Sequence, residues 1–238
     1  MGRCLKSGPP AFLTMISVII PIYNEEETLR NKSSYFRELA KHSELIFVDG
    51  GSSDRGANIA REYSSVLYAK KERALQMNYG ANLSEKDILL FLHADTHINI
   101  DTLISVENKL SGNEVSTGCL TQRIDKNGLI YRLIEGLGNL RAKVTGVFYG
   151  DQGIFIKRAL FNSLGGFPDV PVMEDVIFTR ALRKITKPIV LRDKIFVSPR
   201  RWEKDGVIKT VFLYSFINTL FWLGFPLDKI KKAYSDLR

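Results

Sequence analysis

Short apolar runs alternate with periodic polar segments over the first hundred residues. Runs rich in β-branched and aromatic residues predict four strands, at 15–23, 44–49, 66–70 and 87–95. The segments between them combine acidic or polar starts with apolar residues at helical spacing, and predict helices at 24–42, 55–65 and 73–86. Strands that alternate with helices in this way predict an α/β fold with a mainly parallel central sheet and helices on both faces.

The second half of the chain is less regular. Strands are predicted at 115–124 and 153–161, and helices at 174–185 and 206–223. Because no Ser- or Pro-rich linker, charge block or internal repeat divides the chain, we expect a single domain. Residues 1–14 lack the apolar core of a signal peptide and are expected to be a flexible leader, so that the fold starts at Met15.

Three polar clusters follow predicted strands directly. They are Pro21–Glu25, Asp49–Asp54 and His93–His97. Ligands of parallel α/β sheets gather where the strands end, at their carboxyl edge. We therefore expect these clusters to converge in space.

The first two clusters suit a nucleotide. Tyr23 could stack on a base, and Asp49 could accept a hydrogen bond from a base N–H or a ribose hydroxyl. The alternative is that Asn24, Asp49 and Asp54 only cap helices and turns. Ser53 or Asp54 is the expected N-cap of the helix at 55–65.

The third cluster, in "FLHADTHI" at 91–98, suits a metal ion. A carboxylate and an imidazole at the end of a rigid strand can bind Mn²⁺ or Mg²⁺, with Asp95 and His97 as ligands. The alternative is that Asp95 caps the next helix and that His97 is a surface residue. Arg73, at a predicted helix start, could pair with a diphosphate, although the basic residues around it also fit a solvated helix face.

Two further groups lie in the second half. Glu174 and Asp175 begin a predicted helix, where they either stabilise the positive end of the helix dipole or supply a carboxylate base for a hydroxyl nucleophile. Arg200, Arg201 and Trp202 could clamp a phosphate and stack on a ring, but adjacent arginines are also common surface charge.

Composition changes this picture little. The net charge of +8 suits phosphate-bearing ligands, anionic lipid or nucleic acid. Cys4 and Cys119 are too far apart in the sequence to suggest a CxxC zinc site or a disulfide framework, which favours a reducing, cytoplasmic setting.

The longest apolar stretch, 210–227, is flanked by lysines. At about 18 residues it is marginal for a membrane span, which needs about 20. A core helix or an interfacial helix on anionic lipid fits it better. We therefore treat 204–238 as a C-terminal helical segment with a possible membrane-facing side, which would place the protein at the inner face of a membrane.

Several of these motifs together resemble glycosyltransferase family two. The motifs are "SVIIPIYNEEETL", "IFVDGGSSD", "LLFLHADT", "MEDV" and "RRW", in this order. The resemblance covers 15–203 and is strongest to short bacterial members that contain "HADT" and "GDQGIFIKR". It implies a GT-A, Rossmann-like fold and an inverting transferase that uses a nucleotide-diphosphate sugar, a divalent cation and a hydroxyl acceptor.

The resemblance also assigns roles by position. It places donor contacts on Pro21, Tyr23 and Glu25, recognition of the base on Asp49, and the diphosphate contact on Arg73. It places the last acid of the Asp-x-Asp signature on Asp95 and the catalytic base on Asp175. Residues on the acceptor or phosphate side are Gln152, Glu174, Arg200, Arg201 and Trp202.

The chain departs from the family pattern at three positions. His93 replaces the first acid of Asp-x-Asp but stays on the donor side, Gly50 replaces a second Asp, and Ser198 replaces the Gln that precedes Arg-Trp. A processive polymer synthase is therefore not expected. The rival enzyme class is a sugar-phosphate nucleotidyltransferase, but its Gly-rich basic loop is replaced here by the acidic "PIYNEEE". A non-enzymatic basic module that binds RNA or a membrane is supported only by the net charge.

Overall fold

The strands predicted in the first hundred residues form one half of a mixed sheet in the computed structural model, which describes residues 14–112 and 114–236. In the described residues the sheet has eight strands: β1 Ile16–Ile22, β2 Glu44–Asp49, β3 Ser65–Tyr68, β4 Ile88–Phe91, β5 Thr96–Ile98, β6 Thr117–Ile124, β7 Ile154–Lys157 and β8 Ile189–Val197.

The strand order is β3-β2-β1-β4-β7-β6-β8-β5. β1 to β4 are parallel to one another, and β6 is parallel to β8. The remaining pairs, β4 with β7, β7 with β6 and β8 with β5, are antiparallel. The α/β class and the mainly parallel sheet are thus confirmed, and each antiparallel pair includes at least one strand from the second half of the chain.

The helices flank and extend this sheet. Their bounds are α1 Glu26–Asn31, α2 Ser33–His42, α3 Gly56–Arg61, α4 Arg73–Leu83, α5 Asp101–Leu110, α6 Leu129–Thr145, α7 Arg158–Ser163, α8 Glu174–Ile185, α9 Arg200–Asp205, α10 Val207–Trp222 and α11 Leu227–Asp236. A 3-10 turn covers 150–152.

Alternate residues of the central strands face two separate cores, as the two-residue period of a strand requires. Val18 and Ile20 pack with α1, α2, α3 and α5, whereas Ile19 packs with α4 and α8. This places helices on both faces, as predicted. A third, smaller core joins α10 to α11 through Leu213, Ile217 and Ile230.

The close packing of α4 on the sheet depends on Gly80. A side-chain carbon at this position would lie 2.7 Å from Ile19 Cγ2 and 2.9 Å from Val48 Cγ2. The missing side chain allows α4 to lie close to β1 and β2. The first residue of α4, Arg73, is thereby held near the carboxyl edge of the sheet.

Several predicted boundaries are corrected. The helix predicted at 24–42 is divided at Lys32 into α1 and α2. The strand predicted at 153–161 ends at Lys157, because Arg158 begins α7 and donates to the backbone oxygens of Lys86 and Ala81. The sequence pattern did not predict β5, α5, α6, β8 and α9, whereas α11 lies within the predicted helical segment 204–238.

The domain boundaries predicted for the two ends of the chain stay predictions. Residues 1–13, with Cys4, lie outside the described residues. Thr14 is buried and its Oγ1 donates to the backbone oxygen of His42 at 2.6 Å. Cys119 is a buried free thiol. Within the described ranges, no helix combines the length and apolar character that crossing a bilayer would require.

Candidate active site

The turn after β2 is organised by the buried carboxylate of Asp49. Its Oδ2 accepts hydrogen bonds from the backbone N–H of Gly51 and Ser52, both at 3.0 Å, and its Oδ1 accepts from Ser52 Oγ at 2.5 Å. A carboxylate offers about four lone-pair positions. Asp49 therefore fixes the turn and keeps capacity to accept a hydrogen bond from a ligand.

The ends of β1 and β2 are joined directly by side chains. Asn24 Oδ1 accepts from the backbone N–H of Ser53 at 2.8 Å, and the backbone N–H of Asn24 donates to Ser52 Oγ at 2.9 Å. The N-cap of α3 is Arg55 and not the predicted Ser53 or Asp54, and it has no side-chain cap bond. Asp54 Oδ1 accepts from the N–H of Gly56, the first residue of α3, at 2.8 Å, and its Oδ2 accepts from the N–H of Glu26 at 2.9 Å. The first two predicted clusters thus converge.

Glu25 and Arg200 meet beside this junction. Arg200 Nη2 lies 3.6 Å from Glu25 Oε2, and Nη1 donates to Thr28 Oγ1 at 3.2 Å. Both residues border an open cleft of about 440 Å³ whose other lining residues include Asn24, Thr28 and Asp54. The structure therefore brings a predicted donor residue and a predicted phosphate residue together across 175 positions of sequence.

The predicted stacking surface of Tyr23 carries a cation. Lys71 Nζ lies 3.6 Å from the centre of the Tyr23 ring, and the ring is 36% exposed. Pro21 is part of β1 and is half-buried. The nucleobase of a ligand could stack on the Tyr23 ring only if Lys71 moves away from the face of that ring.

The N-termini of α4 and α8 meet through an ion pair. Arg73 Nη1 lies 3.6 Å from Glu174 Oε1, with the arginine half-exposed and Glu174 buried. Burial and the neighbouring Asp175 raise the pKa of Glu174, while Arg73 opposes this shift. Arg73 therefore faces the buried acids and remains accessible to a ligand.

Asp175 lies at the centre of the site. Its Oδ2 accepts from the N–H of Gly150 at 2.6 Å, and its Oδ1 accepts from the N–H of Val176 at 2.7 Å. A side-chain carbon at Gly150 would lie 2.8 Å from His93 Nε2 and 3.4 Å from Asp175 Oδ2. Only glycine fits at this position, and it brings the third predicted cluster beside Asp175.

Burial determines the protonation of both groups. It raises the pKa of Asp175, although the bonds from Gly150 and Val176 and the charge of Arg73 oppose the shift. Burial and Arg73 lower the pKa of His93 to about 4, against the opposing charge of Asp95. At neutral pH His93 is therefore an uncharged imidazole, and its Nε2 is buried without a hydrogen-bond partner.

Asp95 is fixed through its backbone. Lys32, at the break between α1 and α2, donates from Nζ to the Asp95 carbonyl oxygen at 2.7 Å and to that of Thr96 at 3.2 Å. Burial lowers the pKa of Lys32, and the Asp95 charge partly offsets this effect. The sequence reading missed Lys32, because nothing local in the sequence marks it.

His97 does not join a metal-binding group. Its ring stacks on Phe196 at 4.8 Å between centroids and meets the edge of Tyr35 at 5.9 Å. Within residues 14–112 and 114–236, no three acid, His or Cys side chains are grouped closely enough to hold an ion. The His97 ligand prediction therefore gains no support. A single carboxylate such as Asp95 still suits Mg²⁺ or Mn²⁺, which commonly take one or two carboxylates and complete their shell with water and substrate phosphate.

A further acid that the sequence analysis did not single out, the half-buried Asp151, lies close enough to Asp175 to be affected by its charge. Gln122 Nε2 donates to Asp151 Oδ2 at 2.6 Å, and the other oxygen, Oδ1, is buried without a partner. Burial, together with the charges of Asp175 and Asp95, raises the pKa of Asp151 to about 6, against the effect of Arg141. The only available sequence signal was the pair of glycines that flank "DQ" in "GDQG".

Gln152, predicted on the acceptor side, links this acid to α6. Its Oε1 accepts from Arg141 Nη2 at 2.9 Å and from the N–H of Tyr149 at 3.2 Å. The Arg141 guanidinium lies 3.5 Å from the Tyr149 ring centre. Gln152 therefore holds the turn that presents the N–H of Gly150 to Asp175.

Arg201 and Trp202 lie against the C-terminal helices. The Arg201 guanidinium is 5.0 Å from the rings of both Tyr214 and Tyr234, and Trp202 meets Tyr214 edge-on at 5.9 Å. Arg201 Nη2 is buried without a hydrogen-bond partner. This nitrogen is a donor available to an anion.

The assembled edge brings together a hydrogen-bond acceptor in Asp49, cations in Arg73 and Lys71, and the Asp175 carboxylate with its raised pKa. These are groups that suit a phosphorylated ligand. The mixed sheet with helices on both faces is the GT-A fold of glycosyltransferases.

Comparison with known proteins gives the family. The sequence profile described as "Glycosyl transferase family 2" matches residues 17–165, more than half of the chain. The chain belongs to this family.

Individual relatives are more distant. The chain is 30% identical over 103 residues to glycosyltransferase GlyA of Streptococcus pneumoniae, covering 40% of this chain and 15% of that protein. It is 33% identical over 93 residues to 4,4'-diaponeurosporenoate glycosyltransferase of Staphylococcus haemolyticus, covering 35% and 25%. It thus spans a quarter or less of either relative.

Among solved structures, the fold is similar to that of the mannosyltransferase PcManGT from Pyrobaculum calidifontis, in complex with GDP-Man and Mn²⁺. The TM-score is 0.59 at 21% identity, covering 82% of this chain and 60% of that one.

Proposed function

We propose that the protein transfers a sugar from a nucleotide-diphosphate sugar to an acceptor hydroxyl, with inversion at the anomeric carbon. The observation that carries the proposal is the Asp175 carboxylate, which is half-buried, has a raised pKa and lies beside Arg73 and His93 at the carboxyl edge of the sheet. A carboxylate with a raised pKa is a stronger base than an ordinary one, which suits proton removal from a hydroxyl.

The donor lies along the ends of β1 and β2 in this proposal. Asp49 accepts from the base or ribose, and Tyr23 stacks once Lys71 has moved toward the diphosphate. Arg73 and the unpartnered Nη2 of Arg201 bind the phosphate oxygens, which carry the negative charge released when the sugar departs. We assign these roles to the groups that still have a hydrogen-bond donor or acceptor free for a ligand.

A divalent cation would be held by Asp95 together with the donor diphosphate. When bound, it would neutralise charge on the leaving diphosphate. The solved PcManGT structure contains Mn²⁺. Asp95 is fixed for this task by the Lys32 bond to its carbonyl, and the neutral His93 avoids placing a second positive charge beside the ion.

The acceptor hydroxyl would approach from the side of Gln152 and Asp151. Asp175 removes its proton as the hydroxyl oxygen forms the new bond to the anomeric carbon and the bond to the diphosphate oxygen breaks. Glu174, paired with Arg73, holds the guanidinium between the acids and the donor. We propose an apolar or lipid-linked acceptor, because 206–227 exposes Ile208, Phe212 and Trp222.

The test is hydrolysis and transfer with a panel of nucleotide-diphosphate sugars, each in Mn²⁺, in Mg²⁺ and in chelator. We expect one nucleotide class to be hydrolysed, with a loss of turnover in chelator. Nuclear magnetic resonance of the transferred sugar then reports the anomeric configuration. A product that retains the donor's configuration would contradict the role of Asp175, and failure of every donor would contradict the proposal as a whole.

A further inference from the structure

Helix α6 is held on the protein by polar bonds while it presents large apolar side chains to solvent. Its buried residues are Tyr131, Glu135 and Ala142. Glu135 accepts from Arg123 Nη1 at 2.9 Å, from Arg132 Nη1 at 2.7 Å and from the N–H of Ile124 at 2.9 Å. Asn139 exchanges two hydrogen bonds with the backbone of Gln122, at 2.8 and 2.9 Å. These bonds fix the orientation of the helix on β6.

The outward side of α6 is apolar. Its six exposed large side chains, which are between 46% and 90% exposed, are Leu129, Ile130, Leu133, Leu137, Leu140 and Val144. A surface helix normally carries charged residues there. Lys143 is the single charged residue among the exposed positions of α6, which the structure describes throughout. Because the inward bonds prevent the helix from rotating, this face needs a partner.

A second apolar face belongs to α10. It exposes Ile208, Phe212, Phe216 and Trp222, with Lys209 as its exposed charge and without an exposed acid in this fully described helix. Contacts at the two ends of α6 link it to α10 and to α9, the helix that precedes α10. Tyr149, after α6, bonds to Asn218 of α10, and Lys126, before α6, pairs with Glu203 of α9 at 2.5 Å.

We propose that the exposed faces of α6 and α10 together form a docking surface for an anionic lipid bilayer. Interfacial helices combine an apolar face, aromatic residues and nearby lysines, and bind more strongly when the lipid is anionic. The protein's net charge of +8, with Lys143 on the α6 face and Lys209 on the α10 face, complements the negative charge of such a bilayer.

The nearest competing occupant is a second copy of the chain. Ile130, Leu133, Leu137, Leu140 and Val144 follow the alternating three- and four-residue spacing of a coiled coil. The residues that would flank this seam, however, are Leu129, Ile134, Gly136, Arg141 and Lys143, which include two cations and no acid. Two copies would therefore meet without the opposite charges that normally select a partner helix, whereas anionic lipid supplies them.

The surface lies next to the acceptor side of the site. Arg141 of α6 bonds to Gln152, and Asn218 of α10 bonds to Tyr149, so both helices contact the turn that contains Gly150. Docking would bring this turn to the bilayer. The docking itself stands without the proposed transfer; only the delivery of a lipid-borne acceptor to Asp175 rests on the proposed function.

The test is vesicle flotation of the full chain. One set of vesicles is phosphatidylcholine alone and the other is phosphatidylcholine with an equal part of phosphatidylglycerol. The α6 variant is Leu133→Gln/Leu137→Gln/Leu140→Gln. The matched control replaces three exposed apolar residues on other helices, as Leu83→Gln/Ile104→Gln/Ile185→Gln.

We expect the wild type and the control to float with the anionic vesicles, and the α6 variant to need roughly tenfold more lipid for the same binding. Lys143→Glu, which keeps the apolar face, should also weaken binding to anionic vesicles. Equal flotation of the α6 variant and the control would overturn the proposal. So would a wild type that is dimeric by light scattering without vesicles while the α6 variant is monomeric, because a second copy would then cover the face.

Two further measurements keep the outcomes distinct. Circular dichroism checks that each variant is folded, and Lys143→Glu provides the test if the triple variant is not. Donor hydrolysis is measured without lipid on the same samples. Hydrolysis with no flotation would reject the docking alone, and flotation with no hydrolysis would reject the proposed transfer alone.

Discussion

Replacing Asp151 by Asn should stabilise the protein, and more so at neutral than at acidic pH. Asp151 is half-buried, its Oδ1 atom is buried without a partner, and its pKa is raised from 3.8 to about 6. Since one pKa unit corresponds to about 1.4 kcal/mol, the ionised side chain costs about 3 kcal/mol of folding free energy at neutral pH. Asparagine keeps the shape and removes the charge.

The direction of the pH effect on stability follows from how many protons the folded and unfolded states bind at Asp151. Between pH 3.8 and about 6 the folded state binds more protons at Asp151 than the unfolded state does. Stability therefore falls as pH rises through this range, and the full penalty is present above it. We expect Asp151→Asn to raise the free energy of unfolding by about 3 kcal/mol near pH 7.5, and by only about 1 kcal/mol near pH 4.5.

The assay is urea unfolding at both pH values, followed by the fluorescence of Trp202 and Trp222, with the denaturant slope compared between proteins. Asp87→Asn, at an exposed position, is the control and should change little at either pH. An equal gain at both pH values, or a loss near pH 7.5, would refute the reasoning. Either result would mean that Arg141 already compensates the Asp151 charge in the folded protein.

Three other substitutions test the site and the packing. Asp175→Asn should lower kcat by roughly 10²- to 10⁴-fold while the nucleotide-sugar still binds, since it removes the base and not a donor contact; parallel loss of binding in calorimetry would contradict this. Asp95→Asn should abolish the stimulation of donor hydrolysis by Mn²⁺, and an unchanged Mn²⁺ titration would exclude Asp95 as the ligand. Gly80→Ala should lower the free energy of unfolding by about 1 to 3 kcal/mol, because the added methyl meets Ile19 and Val48; an unchanged unfolding midpoint would show that α4 can move away.

The first half of the fold could be predicted from the sequence because its burial is regular. β1, β2 and β4 are buried on both sides and appear as unbroken apolar runs, and the helices between them have one apolar side. α8 was also predicted at its observed bounds, 174–185, because acids begin it and bases end it.

The missed elements lack these signals. α6 has its apolar residues outside and its acid inside, so its pattern does not indicate which side faces the protein. β8 is nine residues long, but its residues 192–194 are charged and it is largely half-buried. β5 has three residues, too few for any period to be visible.

The site residues also divide into those that could be predicted from the sequence and those that could not. Residues that directly follow predicted strands, such as Asp49 and Asp95, can be identified because parallel strands end at one edge. Lys32 and Asp151 could not, since each acts through a partner more than 25 positions away, Asp95 and Gln122 respectively. Such pairs depend on how helices return to the sheet, which a local pattern does not contain.

Backbone strain also points to this edge. Among the described residues, the non-glycine positions with positive φ are Asn24, at 52°, and Met173, at 65°. Asn24 ends the β1 cluster and Met173 directly precedes the acids of α8. Asparagine tolerates this conformation, but a side chain such as that of Met173 is strained by about 1 to 3 kcal/mol.

The strain at Met173 and the partly or fully buried acids Asp151, Glu174 and Asp175 act against stability at one place. Burial raises the pKa of all three carboxyls, even though Arg73 and Arg141 lie close by. A core selected only for stability would replace these acids with neutral residues. What the arrangement provides is a carboxylate at Asp175 that holds a proton more strongly than an exposed aspartate does, kept in place by the N–H groups of Gly150 and Val176. In the proposed mechanism, the instability at this edge is the physical cost of a positioned base. Asp151→Asn is therefore expected to raise stability, whereas Asp175→Asn is expected to lower kcat.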